Sequence, residues 1–206
     1  MGRTAPAMAK VPREEKIQRR RDELADAALI TLGELGFART SLRDIAENSE
    51  LSHGVVHYYF NDKLELLGYC VRRYKEQCAT RYDELVASAS SPLELRYGFA
   101  AAMRQTLLED TAMHRLWYDM RAQSMFEPAL RDDVRAIDER LQQMIWAIVS
   151  RYGELRKAPV RVSPLLAYVA FDGLFDDCLV RYHAGDDEAP QQLQEQATAL
   201  LEQLVK

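Results

Sequence analysis

Three groups of residues in this chain carry side chains suited to chemistry, and one of them has a spacing that gives its members a joint task. Ser52, His53, Gly54, Val55, His57 and Tyr58 lie within a single short stretch. Val56 and Phe60, four apart, point inward with Leu42 and Ile45 of the preceding segment, which leaves those six on the outer face of a helix. Several hydrogen-bonding groups, one glycine and no acid on such a face suit a helix laid in the major groove of a duplex, where base edges offer donors and acceptors. Gly54 lets the backbone approach closely, and the helix N-terminus can take a phosphate. The second group is His53, His57, His114 and His183 with Cys70, Cys78 and Cys178. Their spacing matches neither metal ligation nor an even disulfide framework, so buried reduced thiols and no metal are expected. The third group is Asp172, Asp176 and Asp177, acids with no positioned partner. There is no glycine-rich phosphate loop, nucleophile elbow or HExxH pair. No catalytic residue, no cofactor and no enzymatic turnover are expected.

The elements that must position the outer face come next. Thr40 and Ser41 are helix-capping types ahead of a short run in which Leu42, Ile45 and Ala46 share a side. Asn48, Ser49 and Glu50 break the pattern, and Ser52 caps a second helix over about 53–60. Thr40, Leu42, Ile45, Ala46, Leu51-Ser52, Gly54, Tyr59-Phe60, Lys63 and Leu66-Leu67 together resemble the DNA-binding signature of the TetR/AcrR family of one-component bacterial regulators. Two positions depart from it. Glu50 stands where the family usually has the turn glycine, and His57 where it usually has tyrosine.

The resemblance implies an all-α fold of about nine helices, with an N-terminal three-helix helix-turn-helix domain and a helical ligand-binding and dimerisation domain. It implies DNA contacts from Thr40, Ser41, Arg43, Ser52, His53, Gly54, Val55, His57, Tyr58, Tyr59 and Lys63, the last being the family's phosphate-contacting position. The function it implies is a sequence-specific repressor released from operator DNA by a small-molecule effector. The alternative is a constitutive DNA-bound architectural or interaction protein of the same fold with no ligand.

At 206 residues the chain can bury a sizeable core. Its net charge of −5 argues against a general nucleic-acid binder, but the charge is unevenly placed. Residues 1–21 carry seven Lys/Arg against two Glu, and residues 64–206 carry seventeen against twenty-two acids. The expected division is a mobile basic arm over 1–12, a DNA-binding domain over 13–61 and a regulatory and dimerisation domain over 62–206. The run Arg19-Arg20-Arg21 suits either phosphate contact or a solvated helix end. No apolar stretch reaches eighteen residues and the N-terminus lacks a signal-peptide core, so a cytoplasmic protein without membrane contact is expected.

Along the chain, a first helix is predicted over 13–35 with Leu24, Ala28, Leu32 and Leu35 inward and Gly36 at its end. One continuous helix is predicted over 62–88, coupling the two domains. Further helices are predicted over 92–109 and 113–125, then one opening at Pro128, a polar loop over 153–162, and two final helices opened by Pro164 and Pro190. The segment beginning at Leu165 is apolar almost all round. The last helix repeats Leu193, Ala197, Leu200 and Leu204, a seam for one partner helix. By the family resemblance, these two helices pair with their symmetry mates in a homodimer.

Phe99, Met103, Trp117, Met120, Arg121, Met144, Tyr168, Phe171, Asp172 and Phe175 supply apolar walls with a few polar groups, the usual make-up of a small-molecule pocket. Met and aromatic residues at helical spacing equally suit a plain core. Trp117, Ser124-Met125, Pro128 and Leu130, with Asp172-Gly173-Leu174 downstream, are similar in spacing to regulators of the choline–betaine pathway. That likeness implies a cationic, quaternary ammonium ligand held by carboxylates and aromatics.

Overall fold

The computed structural model describes residues 13–48 and 53–205. The expected arm over 1–12, the turn at Ser49 and Glu50, and Leu51 and Ser52 lie outside the described residues. Among the described residues there are ten α-helices and no sheet, only an isolated bridge between Val160 and Val205.

Helices α1 (Arg13–Leu35), α2 (Leu42–Glu47) and α3 (His53–Tyr59) form a small bundle. Leu24, Ala28, Leu32, Leu42, Ile45, Val56 and Phe60 make its core. Leu35, expected in the same stripe, is exposed instead. Gly36 at φ +76° ends α1 in the left-handed region that glycine adopts without strain. A unit of this size has one small core and is marginal alone. α4 (Lys63–Ala79) closes its open side with Leu66, Leu67, Cys70 and Val71, all fully buried. The three cysteines are free and buried.

The continuous helix predicted over 62–88 is two helices. α4 ends at Ala79, and α5 (Asp83–Ser88) begins after a turn. The break lets Arg81 reach Thr106 and Asp110 and lets Tyr82 pack edge-on against Phe99, ring centroids 5.1 Å apart. A straight helix would aim these side chains elsewhere.

The body continues with α6 (Pro92–Glu109), α7 (Thr111–Gln123), a 3-10 turn at Pro128–Leu130, α8 (Arg131–Arg156), α9 (Pro164–His183) and α10 (Ala189–Leu204). Ser91 and Ser163 cap α6 and α9 by accepting from Glu94 N and Leu166 N, each followed by proline at the first helical position. The loop expected from residue 153 starts later. α8 runs on to Arg156 and ends through Lys157 at φ +53°. Gly153 is inside the helix because a Cβ there would meet Val160 Cγ2 at 3.1 Å and Ala158 O at 3.2 Å. Close approach of the returning chain, not helix termination, explains that glycine.

The expected seam on α10 is also reassigned. Of the seam residues, Leu193, Ala197 and Leu204 are buried within the chain, where α10 packs on α6 and α9, and Leu200 is half-buried, so most of the seam is not free for a second copy. On α9, by contrast, Leu165, Leu166, Val169 and Val180 are more than half exposed. No helix among the described residues is long and apolar enough to cross a membrane.

α7 lies against α1 as well as against the body. At their crossing a Cβ on Gly33 would stand 2.8 Å from Ala112 Cβ. Two effects oppose each other in Gly33→Ala. Helix propensity favours alanine by about 1 kcal/mol, whereas overpacking against an atom fixed to the backbone costs about 1–3 kcal/mol. We expect Gly33→Ala to melt at a lower temperature in a circular-dichroism scan. A higher melting temperature would mean that α1 and α7 do not pack this closely.

Candidate DNA interface and ligand cavity

The short helix α2 is held by its ends. Ser41 N and Oγ both donate to Asp44 Oδ2 at 2.7 Å, and Asp44 N donates back to Ser41 Oγ at 3.2 Å. This capping box satisfies donors that a two-turn helix cannot pair internally. At its other end Asn48 Nδ2 donates to the buried Thr31 hydroxyl of α1 at 3.3 Å. Arg43 points outward and pairs with Glu47 at 2.8 Å. On α3, Gly54, His57 and Tyr58 are exposed and Val55 is half-buried, while Val56 is fully buried behind them. Nothing lies within 4 Å of the Cβ position of Gly54. Tyr59 is half-buried and stacks edge-on with Tyr58 at 4.9 Å. Ser52 and the His53 side chain lie outside the described atoms.

Several side chains assigned to DNA from sequence have structural partners here. Thr40 is buried, and its hydroxyl donates to Gly36 O at 2.8 Å, which holds the α1–α2 turn. Arg21 bridges to Glu65 of α4 at 3.0 Å and covers the Phe60 ring at 4.5 Å, so it faces inward. Arg19 and Arg20 are exposed at the surface and pair with Glu23. Lys63 donates to Phe37 O at 2.6 Å and sits 3.9 Å from the centre of the Phe37 ring. Desolvation lowers its ammonium pKa below the ordinary value. The N–H of Phe37 in turn donates to Asp119 Oδ2 of α7 at 2.9 Å. Both backbone polar groups of Phe37 are thus gripped, one by α4 and one by α7.

In the body, α4, α6, α7, α8 and α9 surround a small cavity of about 70 Å3. Seven of the residues expected there line it: Met103, Trp117, Met144, Tyr168, Phe171, Asp172 and Phe175. Phe99, Met120 and Arg121 do not. Phe99 stands behind the wall, edge-on to Phe171 at 5.2 Å, and Met120 is fully buried. Arg121 reaches the wall only through Asp172, which it pairs at 2.5 Å. Asp172 also accepts from the Tyr118 hydroxyl at 3.2 Å, and Arg121 lies 3.6 Å from Asp138. The hydroxyl of Tyr168 donates to Asp138 at 2.5 Å. Burial beside these carboxylates raises the Tyr118 and Tyr168 phenols above their usual range.

The sequence reading missed a basic group in the wall. Lys75 of α4 is 3% exposed, and its ammonium lies 3.3 Å from His114 Nδ1 and 5.2 Å from the Trp117 ring centre. Because the ammonium only donates, Nδ1 must accept, which assigns the ring proton to Nε2, facing the Tyr74 hydroxyl at 3.3 Å. Burial, with Lys75 and Arg81 nearby, holds His114 well below its ordinary pKa and therefore neutral. The signal available in the sequence was the stripe Leu67, Val71, Lys75, Cys78, in which one lysine occupies an inward position. Beside the cavity, a wider cleft between α1, α7 and α9 is lined by Gly33, Gly36, Arg115, Asp119, Asp176 and His183 among others. It leaves space beside the α1–α7 contact.

Comparison with known proteins matches this arrangement. Residues 24–70, from mid-α1 into α4, match the bacterial regulatory proteins of the tetR family. The HTH-type transcriptional regulator BetI of Burkholderia mallei (strain NCTC 10229) is 32% identical over 158 residues, covering 76% of this chain and 80% of that relative. A TetR transcription regulator from Haloarcula marismortui superposes with a TM-score of 0.73 at 20% identity, covering 92% of this chain and all of that one. A regulator from Saccharomonospora viridis, solved in complex with choline, gives 0.73 at 16% identity, covering 91% and 98%.

The fold and the helix-turn-helix define a DNA-binding transcriptional regulator rather than an enzyme. The chain belongs to the TetR family and resembles its BetI members.

The buried lysine has a consequence for stability. Desolvation pushes its pKa down to about 8 from 10.5, so between those values the unfolded chain binds more protons than the folded one. Stability contributed by this group therefore rises as pH goes from about 8 to 10.5, and its burial cost is fully present below 8. Lys75→Met should be more stable than the unaltered chain near pH 7, with the advantage shrinking through that window in urea titrations. A difference that stays constant across the window would show that the ammonium is not buried in the folded state.

Proposed function

We propose that the chain is an operator-binding repressor that acts as a homodimer and is released by a small molecule taken into the body cavity. The reading rests above all on α7. The same helix supplies His114, Trp117 and Tyr118 to the cavity wall and Asp119 to the backbone of Phe37. A ligand that displaces α7 would therefore move the α1–α2 turn on which the DNA-reading bundle hangs. On this reading residues 13–61 form the DNA-binding unit, extended by a basic arm over 1–12, and residues 62–206 the regulatory and dimerisation unit. Arg43, Gly54, Val55, His57 and Tyr58 supply the outward contacts, with Ser52 and His53 at the start of the same helix. Ser41 and Tyr59 flank them. Lys63 acts by fixing the turn as well as by its charge.

The dimer is formed through α9. Leu166, Val169, Gly173 and Val180 follow one another at steps of three, four and seven on its exposed side, and nothing lies within 4 Å of the Gly173 Cβ position. Two-fold pairing there would give the symmetry needed to read two half-sites about 34–36 Å apart. A ligand-free architectural protein would need no cavity with a buried cation in its wall.

The test is fluorescence anisotropy on the duplex upstream of the chain's own gene. Affinity should fall by roughly a thousandfold or more between 50 and 200 mM salt if six or more phosphates are contacted. His57→Ala should lose about 1–3 kcal/mol of discrimination against altered half-sites while keeping its salt dependence. Binding that is insensitive to salt, or unchanged sequence preference in the variant, would remove α3 from the groove. Sedimentation supplies the check on assembly. Val169→Glu should run as a monomer at micromolar concentration, because a carboxylate would be buried without a partner. If the unaltered chain already runs as a monomer, the α9 interface is wrong.

A further inference from the structure

We propose that the cavity takes a monocarboxylate on an apolar body, its carboxylate held by the Lys75 ammonium and the Trp117 indole N–H. The proposal rests on the ligand-regulated reading above and names the class of ligand.

Among the described residues, Lys75 is the one buried cation at the cavity without a direct ion pair. Asp172 is paired with Arg121, which also lies 3.6 Å from Asp138, and is hydrogen-bonded by Tyr118. Arg81 is neutralised by Asp110 at 2.6 Å and also donates to the Thr106 hydroxyl. Lys75 has no such partner: among the described residues no carboxylate lies within ion-pair distance of it, and its one hydrogen-bonding contact is a neutral imidazole. An ammonium has three donors, so two remain unused. A buried charge without a paired counter-charge is costly; Asp172 acts on this ammonium only from beyond ion-pair distance, and an anion in contact with it would relieve the cost.

A second, independent observation concerns Trp117. Its indole N–H is buried and has no hydrogen-bond partner among the described residues, although indoles in protein interiors ordinarily find one. The ring lies 5.2 Å from the Lys75 ammonium. The two residues, from α4 and α7, line the same cavity, and each carries a donor without a full set of partners. The complement is a group with two acceptor oxygens and one negative charge. A dianionic phosphate would bring twice the charge that the single free cation can balance. The rest of the lining, including Met103, Leu141, Met144, Ile145 and Phe175, calls for an apolar body.

The same accounting disfavours a quaternary ammonium ligand. The carboxylate it would need is already paired with Arg121, and a resident cation already occupies the neighbourhood of the Trp117 ring. A second cation there would be repelled by Lys75.

The experiment is isothermal titration of the full chain at pH 7 with decanoate and 4-phenylbutyrate, their primary amides, and choline. At least one carboxylate should bind, its amide about ten- to a hundredfold more weakly, and choline without measurable heat. Lys75→Met and Lys75→Gln, each checked for folding by circular dichroism, should lose a similar factor for the carboxylate. The inference is overturned if neither carboxylate binds, if amide and acid bind equally, if choline binds more tightly, or if folded Lys75 variants keep full carboxylate affinity. Operator binding measured without ligand separates the two readings. If the operator is bound but no carboxylate is, only this inference falls. If a carboxylate is bound in a Lys75-dependent way and no duplex is, the regulator reading falls and the cavity assignment stands.

Discussion

The structure depends on how one residue between α1 and α2 is held. Phe37 gives its N–H to Asp119 and receives the Lys63 ammonium on its carbonyl. Gly36 sets up this geometry by turning the chain through φ +76°, and Thr40 locks the turn from the other side through Gly36 O. A hydrogen bond to a charged group is worth about 1.5–3 kcal/mol. Coupling between a ligand site and a second site is typically about 1–3 kcal/mol. Making or breaking the single Asp119 contact would therefore be large enough to switch operator affinity severalfold or more. No global refolding of the DNA-reading bundle is required.

The cavity shows the reverse of ordinary core economy. α4, α7 and α9 could close over Met, Phe and Trp alone, yet α4 places a lysine where its own stripe calls for an apolar side chain. The unliganded protein bears that cost because His114 and the Trp117 ring offer only partial compensation. Since α4 contributes both Lys75 to the cavity and Lys63 to Phe37, it joins the two regions rigidly over three helical turns. α7 does the same over a little more than one turn, from His114 to Asp119. Two rigid elements that meet at a single loop residue can convert a small tilt into a changed bundle position.

Much of this was legible in the sequence where local patterns act alone. The inward positions Leu42, Ile45, Val56 and Phe60 follow from helical spacing, and the starts of α6 and α9 follow from Ser-Pro pairs. What was not legible depends on tertiary partners. The break after Ala79 is set by where Arg81 and Tyr82 find Asp110 and Phe99, a requirement that no local propensity expresses. Gly153 looked like a helix end, but it answers to the approach of Val160 across a turn. The apolar repeat on α10 looked like a surface for another chain, and α6 covers it. Phe99 and Met120 have the composition of pocket residues yet lie behind the wall, because periodicity gives a face but not a depth. Asp119 and Lys75 were overlooked in their roles for the same reason: their partners are 82 and 39 residues away in the chain.

The central claim is that ligand and operator are linked through α7 and the Phe37 backbone. The most direct measurement is the ratio of operator affinities with and without saturating decanoate, or 4-phenylbutyrate if that acid binds more tightly, in the unaltered chain and in Asp119→Ala. The account predicts that the ratio collapses toward one in the variant while its affinity for the acid, read by calorimetry, stays within about twofold. A variant with the full ratio would contradict it, since the signal would then bypass Asp119.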